Sequence, residues 1–163
     1  MNKYIRLTLL TLLVLLGILQ FIRPARNLSN DNTKAITQAL PVPAGVQTIL
    51  QTSCYDCHSN KTDYPWYTEI QPVGLWLNGH VDEGKHHLNF SEFAGYNLRR
   101  QYHGLEEIGD MVKEGEMPLS SYTLIHRYAA LSPEQQTELV NWTVAMQDTL
   151  RAHYPLDSLV RKR

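Results

Sequence analysis

The residues of this chain best placed to do chemistry are two cysteines and the histidine beside them. Its only cysteines stand in the run Cys54-Tyr55-Asp56-Cys57-His58. Two thiols three residues apart on a helical turn face the same edge of a planar ring. There they add to a pair of vinyl groups as thioethers, and the histidine that follows lies under the ring and offers a nitrogen to a metal at its centre. Cys-x-x-Cys-His is the attachment signature of c-type haem. A zinc site needs four ligands, and no second Cys-x-x-Cys exists. A thioredoxin-like redox pair sits near a βαβ pattern, which this chain lacks. A plain disulfide leaves His58 unexplained.

Iron with one protein ligand binds exogenous molecules; iron with two mainly passes electrons. Met117 is the candidate for the second ligand. It lies 59 residues after His58, follows the helix-stopping Gly115, and precedes Pro118, which stiffens an extended loop. Met/His ligation raises the reduction potential. Met111 and Met146 sit at helical spacing and read as core filler. His80 is the chief rival, on the apolar face of its helix beside Trp76, where a histidine is more often a core residue or a propionate partner. His86, His87 and His126 read as solvated or structural. Tyr64, Trp66 and Tyr67 are candidates for the cofactor's edge, donating to propionates, with aromatic packing under a loop as the equal alternative.

These side chains need elements to hold them. Val46, Ile49, Leu50, Ser53 and Cys54 recur at i, i+3, i+4, i+7 and i+8, so the spacing predicts a helix from about Ala44 that ends in the cysteine motif. Residues 59–71 read as an aromatic loop. Pro72 opens a second helix with Val73, Trp76, Leu77, His80, Val81 and Gly84 on one face. A third is expected from a cap at Asn89–Glu92 to His103, stopped by Gly104, and a fourth over Leu105–Glu114. Residues 119–131 read as irregular. Ser132-Pro133-Glu134-Gln135 carries a cap residue, a proline at the first helical position and a capping-box glutamine, ahead of Leu139, Trp142, Thr143, Met146 and Leu150 on one face. No alternating strand pattern appears, so the fold class is all-α.

The 163 residues carry a formal net charge of −1, which gives no basic excess for nucleic acid. Residues 1–26 hold four basic groups (Lys3, Arg6, Arg23, Arg26) and no acidic one; the rest has 11 basic against 16 acidic side chains. Leu7 to Ile22 is uncharged, and no small-x-small cleavage site follows it. This reads as an uncleaved N-terminal signal anchor. The expected layout is a transmembrane segment at 1–26, a linker at 27–43, a haem domain at 44–155 and a basic tail at 156–163. It implies a single-pass inner-membrane protein with its domain in the periplasm. The acidic groups around 106–116 (Glu106, Glu107, Asp110, Glu114, Glu116) read as a docking face for a basic redox partner or as an ordinary solvated helix face.

The motifs in order resemble a known family. Cys54-Tyr-Asp-Cys-His-Ser-Asn60, Tyr64-Pro-Trp-Tyr67, Pro72-Val73, Leu88-Asn-Phe-Ser91 and Gly115-Glu-Met-Pro118 look like the bacterial haem-binding domain family, and more broadly like monohaem class I cytochromes c. The likeness covers residues 44–147. It implies a cytochrome c-like helical domain around one covalent haem c, with thioethers at Cys54 and Cys57, His58 as the proximal iron ligand and Met117 as the distal one; Trp66 joins them as a cofactor contact. The function expected is one-electron transfer to and from redox partners of a membrane electron-transfer chain, with no small-molecule substrate and no enzyme activity. The alternatives are a peroxidase-like enzyme or gas or peroxide sensor with a labile sixth ligand, and an accessory subunit of a larger membrane complex.

Overall fold

The computed structural model describes residues 1–160, and among these every regular element is helical. Arg161, Lys162 and Arg163, the charged end of the expected basic tail, lie outside the described residues. In chain order the helices are α1 (Lys3–Leu19), α2 (Ile36–Ala39), α3 (Ala44–Ser53), α4 (Tyr55–His58), α5 (Val73–His87), α6 (Leu98–Lys113), α7 (Ser120–Ile125), α8 (Pro133–His153) and α9 (Leu156–Leu159). Short 3-10 turns lie at Trp66–Glu69, Phe93–Gly95 and Arg127–Ala129.

The core forms where α6 crosses α8, with α3 and α9 packed on the pair. Leu50 of α3, Leu105 of α6 and Leu139 of α8 are fully buried, each stabilising the fold by about 1.5–3 kcal/mol. At the crossing, a methyl group on Gly109 would stand 2.8 Å from Thr143 Oγ1, so glycine here permits the close approach. Trp142 ties α8 to the chain ahead of α3 by donating from Nε1 to Pro41 O at 3.0 Å. The expected capping box opens α8: Gln135 N donates to Ser132 Oγ, and Ser132 N to Gln135 Oε1.

Three expectations need correction. The helices anticipated on either side of Gly104 are one continuous α6, capped by Asn97, whose side chain accepts from Arg100 N at 2.9 Å. Gly104 does not break it. Its bare Cα instead makes room for Leu88 and Phe93, which would lie 3.3 and 3.5 Å from an added Cβ. The stretch 119–131 is not irregular but holds α7 and a 3-10 turn.

The third correction concerns the N-terminus. The apolar run does form a helix, with no buried residue, but α1 stops after 17 residues. At 1.5 Å per residue that is about 25 Å, short of the roughly 30 Å hydrocarbon core. No helix among the described residues is long and apolar enough to cross a membrane. This overturns the expected transmembrane helix and, with it, the single-pass inner-membrane placement. The far end of α1 is tied to the rest of the chain: Gln20 Nε2 donates to Gln71 O at 3.0 Å and its Oε1 accepts from Gln71 N at 2.9 Å. Arg23 and Arg26 both pair with Glu69.

Candidate functional site

The chain bends at Cys54 (φ −126°, ψ −37°), which ends α3 and caps the single turn α4. Within that turn Cys57 N and His58 N both donate to Cys54 O, at 3.2 and 2.9 Å. The two thiols therefore occupy successive positions of one helical turn. Both cysteines are free. Burial pushes the Cys54 thiol up to about 12, with the neighbouring Cys57 adding to the effect, and the Cys57 thiol up to about 11, with Asp56 adding. At neutral pH they are protonated thiols, unlike the thiolates of a redox-active pair. No group of three or more histidine, cysteine or acidic side chains among the described residues is arranged to hold a metal ion.

His58 is aimed by a distant part of the chain. Its Nδ1 lies 3.0 Å from Leu88 O. A carbonyl only accepts, so Nδ1 carries the proton and Nε2 keeps its lone pair, the arrangement that orients histidine as a metal ligand. Burial holds the imidazole below the ordinary histidine pKa, opposed by the carbonyls of Leu88 and Gly84. Phe90 N donates back to His58 O at 2.7 Å, and the Phe90 ring stacks on Tyr55 and meets His58 edge-on.

Beside Cys57 opens a largely apolar cleft between α5 and α7, walled by Trp76, Leu77 and Val81 on one side and Leu119 and Ile125 on the other. Trp76 and Ile125 are 51% and 61% exposed at its lip. Large apolar side chains lining an open cleft, next to two free thiols and an oriented imidazole, fit a flat apolar ring such as a porphyrin.

The sequence-derived candidates are distributed unevenly around this cleft. Cys57 lines it; Cys54 and His58 share its turn without joining the cleft walls. Met117 follows Gly115 (φ +75°), donates from its backbone to Met111 O at 3.1 Å, and packs its side chain against the apolar core without joining the cleft walls. Trp66 is 76% exposed, edge-on to Tyr67, and also outside the walls. His80 does line the cleft; its Nδ1 donates to Trp76 O at 2.9 Å.

His126, read from the sequence as solvated or structural, is buried rather than solvated. It is 9% exposed, lines the cleft, and sits among Tyr67, Tyr122 and Tyr128. Tyr67 Oη lies 2.8 Å from its Nε2, while Nδ1 is buried without a hydrogen-bond partner among the described residues. Tyr122 joins this cluster to the motif by donating to Asp56 Oδ2 at 2.5 Å, and burial together with that carboxylate raises its pKa. The sequence signals for the cluster are Tyr67 in the aromatic loop and the close spacing of Tyr122, His126 and Tyr128.

An all-helical fold that presents one Cys-x-x-Cys-His turn to an apolar cleft defines a haem-binding protein. The chain belongs to the haem-binding domain family, whose pattern it matches over residues 14–145. The matched region starts inside α1 and takes in the segment before α2, which is bonded to the motif: Asn27 Nδ2 donates to Ser59 O, and Asn30 N to Asn60 O. No curated relative and no solved structure matches the chain.

Proposed function

We propose that the chain holds one haem covalently, through thioethers at Cys54 and Cys57, and passes single electrons between redox partner proteins. The observation that carries this reading is the placement of His58: its Nδ1 lies 3.0 Å from Leu88 O, which leaves Nε2 for iron, next to two free thiols. Once bound, haem supplies an iron that cycles between ferrous and ferric states. The chain's own residues would hold it: His58 would offer Nε2 to the iron, the apolar side chains of the cleft would wall the ring, and Met117 on the Gly115–Pro118 segment would offer a second ligand. No substrate bond is made or broken.

The cleft walls favour a second reading, because His80 and His126 line them and Met117 does not. A histidine in place of Met117, or an open sixth position, fits a haem enzyme or a gas or peroxide sensor. One experiment separates these. Protein from cells competent in cytochrome c maturation is expected to keep its haem through denaturing electrophoresis, to show the near-infrared charge-transfer band of methionine–ferric haem, and to exclude carbon monoxide. Met117→Ala is expected to keep the haem and lose the band. A high-spin spectrum with ready carbon monoxide binding overturns electron transfer in favour of the second reading, and loss of haem on denaturation overturns covalent attachment.

A further inference from the structure

The peptide unit joining Leu88 to Asn89 is held at both polar ends. Its carbonyl, Leu88 O, receives His58 Nδ1 at 3.0 Å, and its N–H, on Asn89, donates to Tyr96 Oη at 3.0 Å. The two groups of a trans peptide point in opposite directions. Imidazole, peptide and phenol thus form one chain of hydrogen bonds, in which each bond polarises the next.

The surrounding residues hold that chain in place. The Asn89 side chain donates to Asn60 Oδ1 at 2.8 Å and accepts from Ser91 N at 3.0 Å, while Asn60 N donates to Ser91 Oγ at 3.1 Å. Asn60, Asn89 and Ser91 are each less than 10% exposed (7%, 6% and 2%), so these bonds run without competing water. Tyr96 is set by Phe93, with ring centroids 5.7 Å apart, and by the Arg100 guanidinium 4.0 Å over its ring. Arg100 also donates to His86 O at 3.0 Å, two residues before Leu88.

We propose that Tyr96 is a positioning residue for His58, acting through the Leu88–Asn89 peptide to set how strongly the imidazole donates to iron. The proposal rests on the reading of His58 as a haem ligand. Accepting the Asn89 N–H pulls electron density toward Leu88 O. A more basic carbonyl draws harder on the Nδ1 proton, and Nε2 becomes a stronger donor that favours ferric iron. Without the hydroxyl the buried N–H is left unpaired and the carbonyl weakens, so the ferrous form gains.

The test is Tyr96→Phe in the haem-loaded protein, a change that keeps the ring packed on Phe93 and Arg100. The ferric–ferrous equilibrium is expected to shift toward ferrous by up to about tenfold, a rise in potential of up to about 59 mV for one electron, with altered paramagnetic NMR shifts of the His58 ring protons. A potential that stays or falls, with the His58 shifts unchanged and only the unfolding midpoint lowered, reduces Tyr96 to a structural role and overturns the proposal. A second measurement needs no variant: in the parent, the His58 Nδ1–H and Asn89 N–H are expected to exchange slowly with deuterium, and rapid exchange of either overturns it. A parent spectrum without histidine ligation removes the His58 reading itself. Histidine ligation with an unmoved Tyr96→Phe potential removes this proposal alone.

Discussion

Of the three glycines in helix α5, Gly79 and Gly84 separate packing from propensity. A Cβ on Gly84 would stand 2.8 Å from Cys57 O and 3.3 Å from Cys57 Cβ, whereas a Cβ on Gly79 meets nothing within 4 Å. Replacing glycine by alanine inside a helix contributes about 0.5–1 kcal/mol, and this is the whole expected effect of Gly79→Ala. Gly84→Ala gains the same amount, but α5 and the α4 turn must then separate by roughly half an ångström to restore ordinary contact. The clash is with backbone, not with a flexible side-chain end, so overpacking costs about 1–3 kcal/mol. The two variants are thus expected to differ by about 1–3 kcal/mol, Gly84→Ala being the less stable. Cys57 O belongs to the peptide that enters His58, so Gly84→Ala is also expected to lower the fraction of chains that retain haem. Urea unfolding of haem-loaded protein, followed by far-ultraviolet circular dichroism, reads the midpoints at a shared slope. A Gly84→Ala protein as stable as Gly79→Ala, with full haem retention, would refute the close packing of α5 on the motif.

Two further outcomes follow from the site. The folded haem-free chain binds the Cys54 and Cys57 protons more tightly than the unfolded one, since both thiols lie above their ordinary value of 9.0. Its stability is therefore full below about pH 9 and falls as pH rises toward 11 and 12; urea midpoints level from pH 8 to 10.5 would contradict the burial of the thiols. Tyr122→Phe removes the hydroxyl that Asp56 Oδ2 accepts and is expected to cost about 1–3 kcal/mol, seen as a lower thermal midpoint; an unchanged midpoint would mean that α7 is not held to the motif through this bond.

The features legible in the sequence are those whose physics is local. Cys54, Cys57 and His58 lie within five residues, so their chemistry shows in spacing alone. The Ser132–Gln135 capping box closes within one turn and forms as read. Gly104 misleads because a glycine reads locally as a stop, while its value here lies in space for Leu88 and Phe93. The apolar N-terminal run misleads in a similar way: hydropathy announces a span, but the helix ends at Leu19, and Gln20 turns to bond the backbone of Gln71.

By itself, then, the sequence determined the helical class, the Cys-x-x-Cys-His turn and the family, because periodicity, capping and motif spacing act over a few residues. Only the tertiary structure decided how the histidine is aimed, which side chains wall the cleft and where His126 sits. Leu88 is 30 residues from His58, and Tyr122 is 66 from Asp56. Contacts of that reach depend on how α5, α6 and α7 pack once the core closes, and no local pattern in the chain encodes a packing distance.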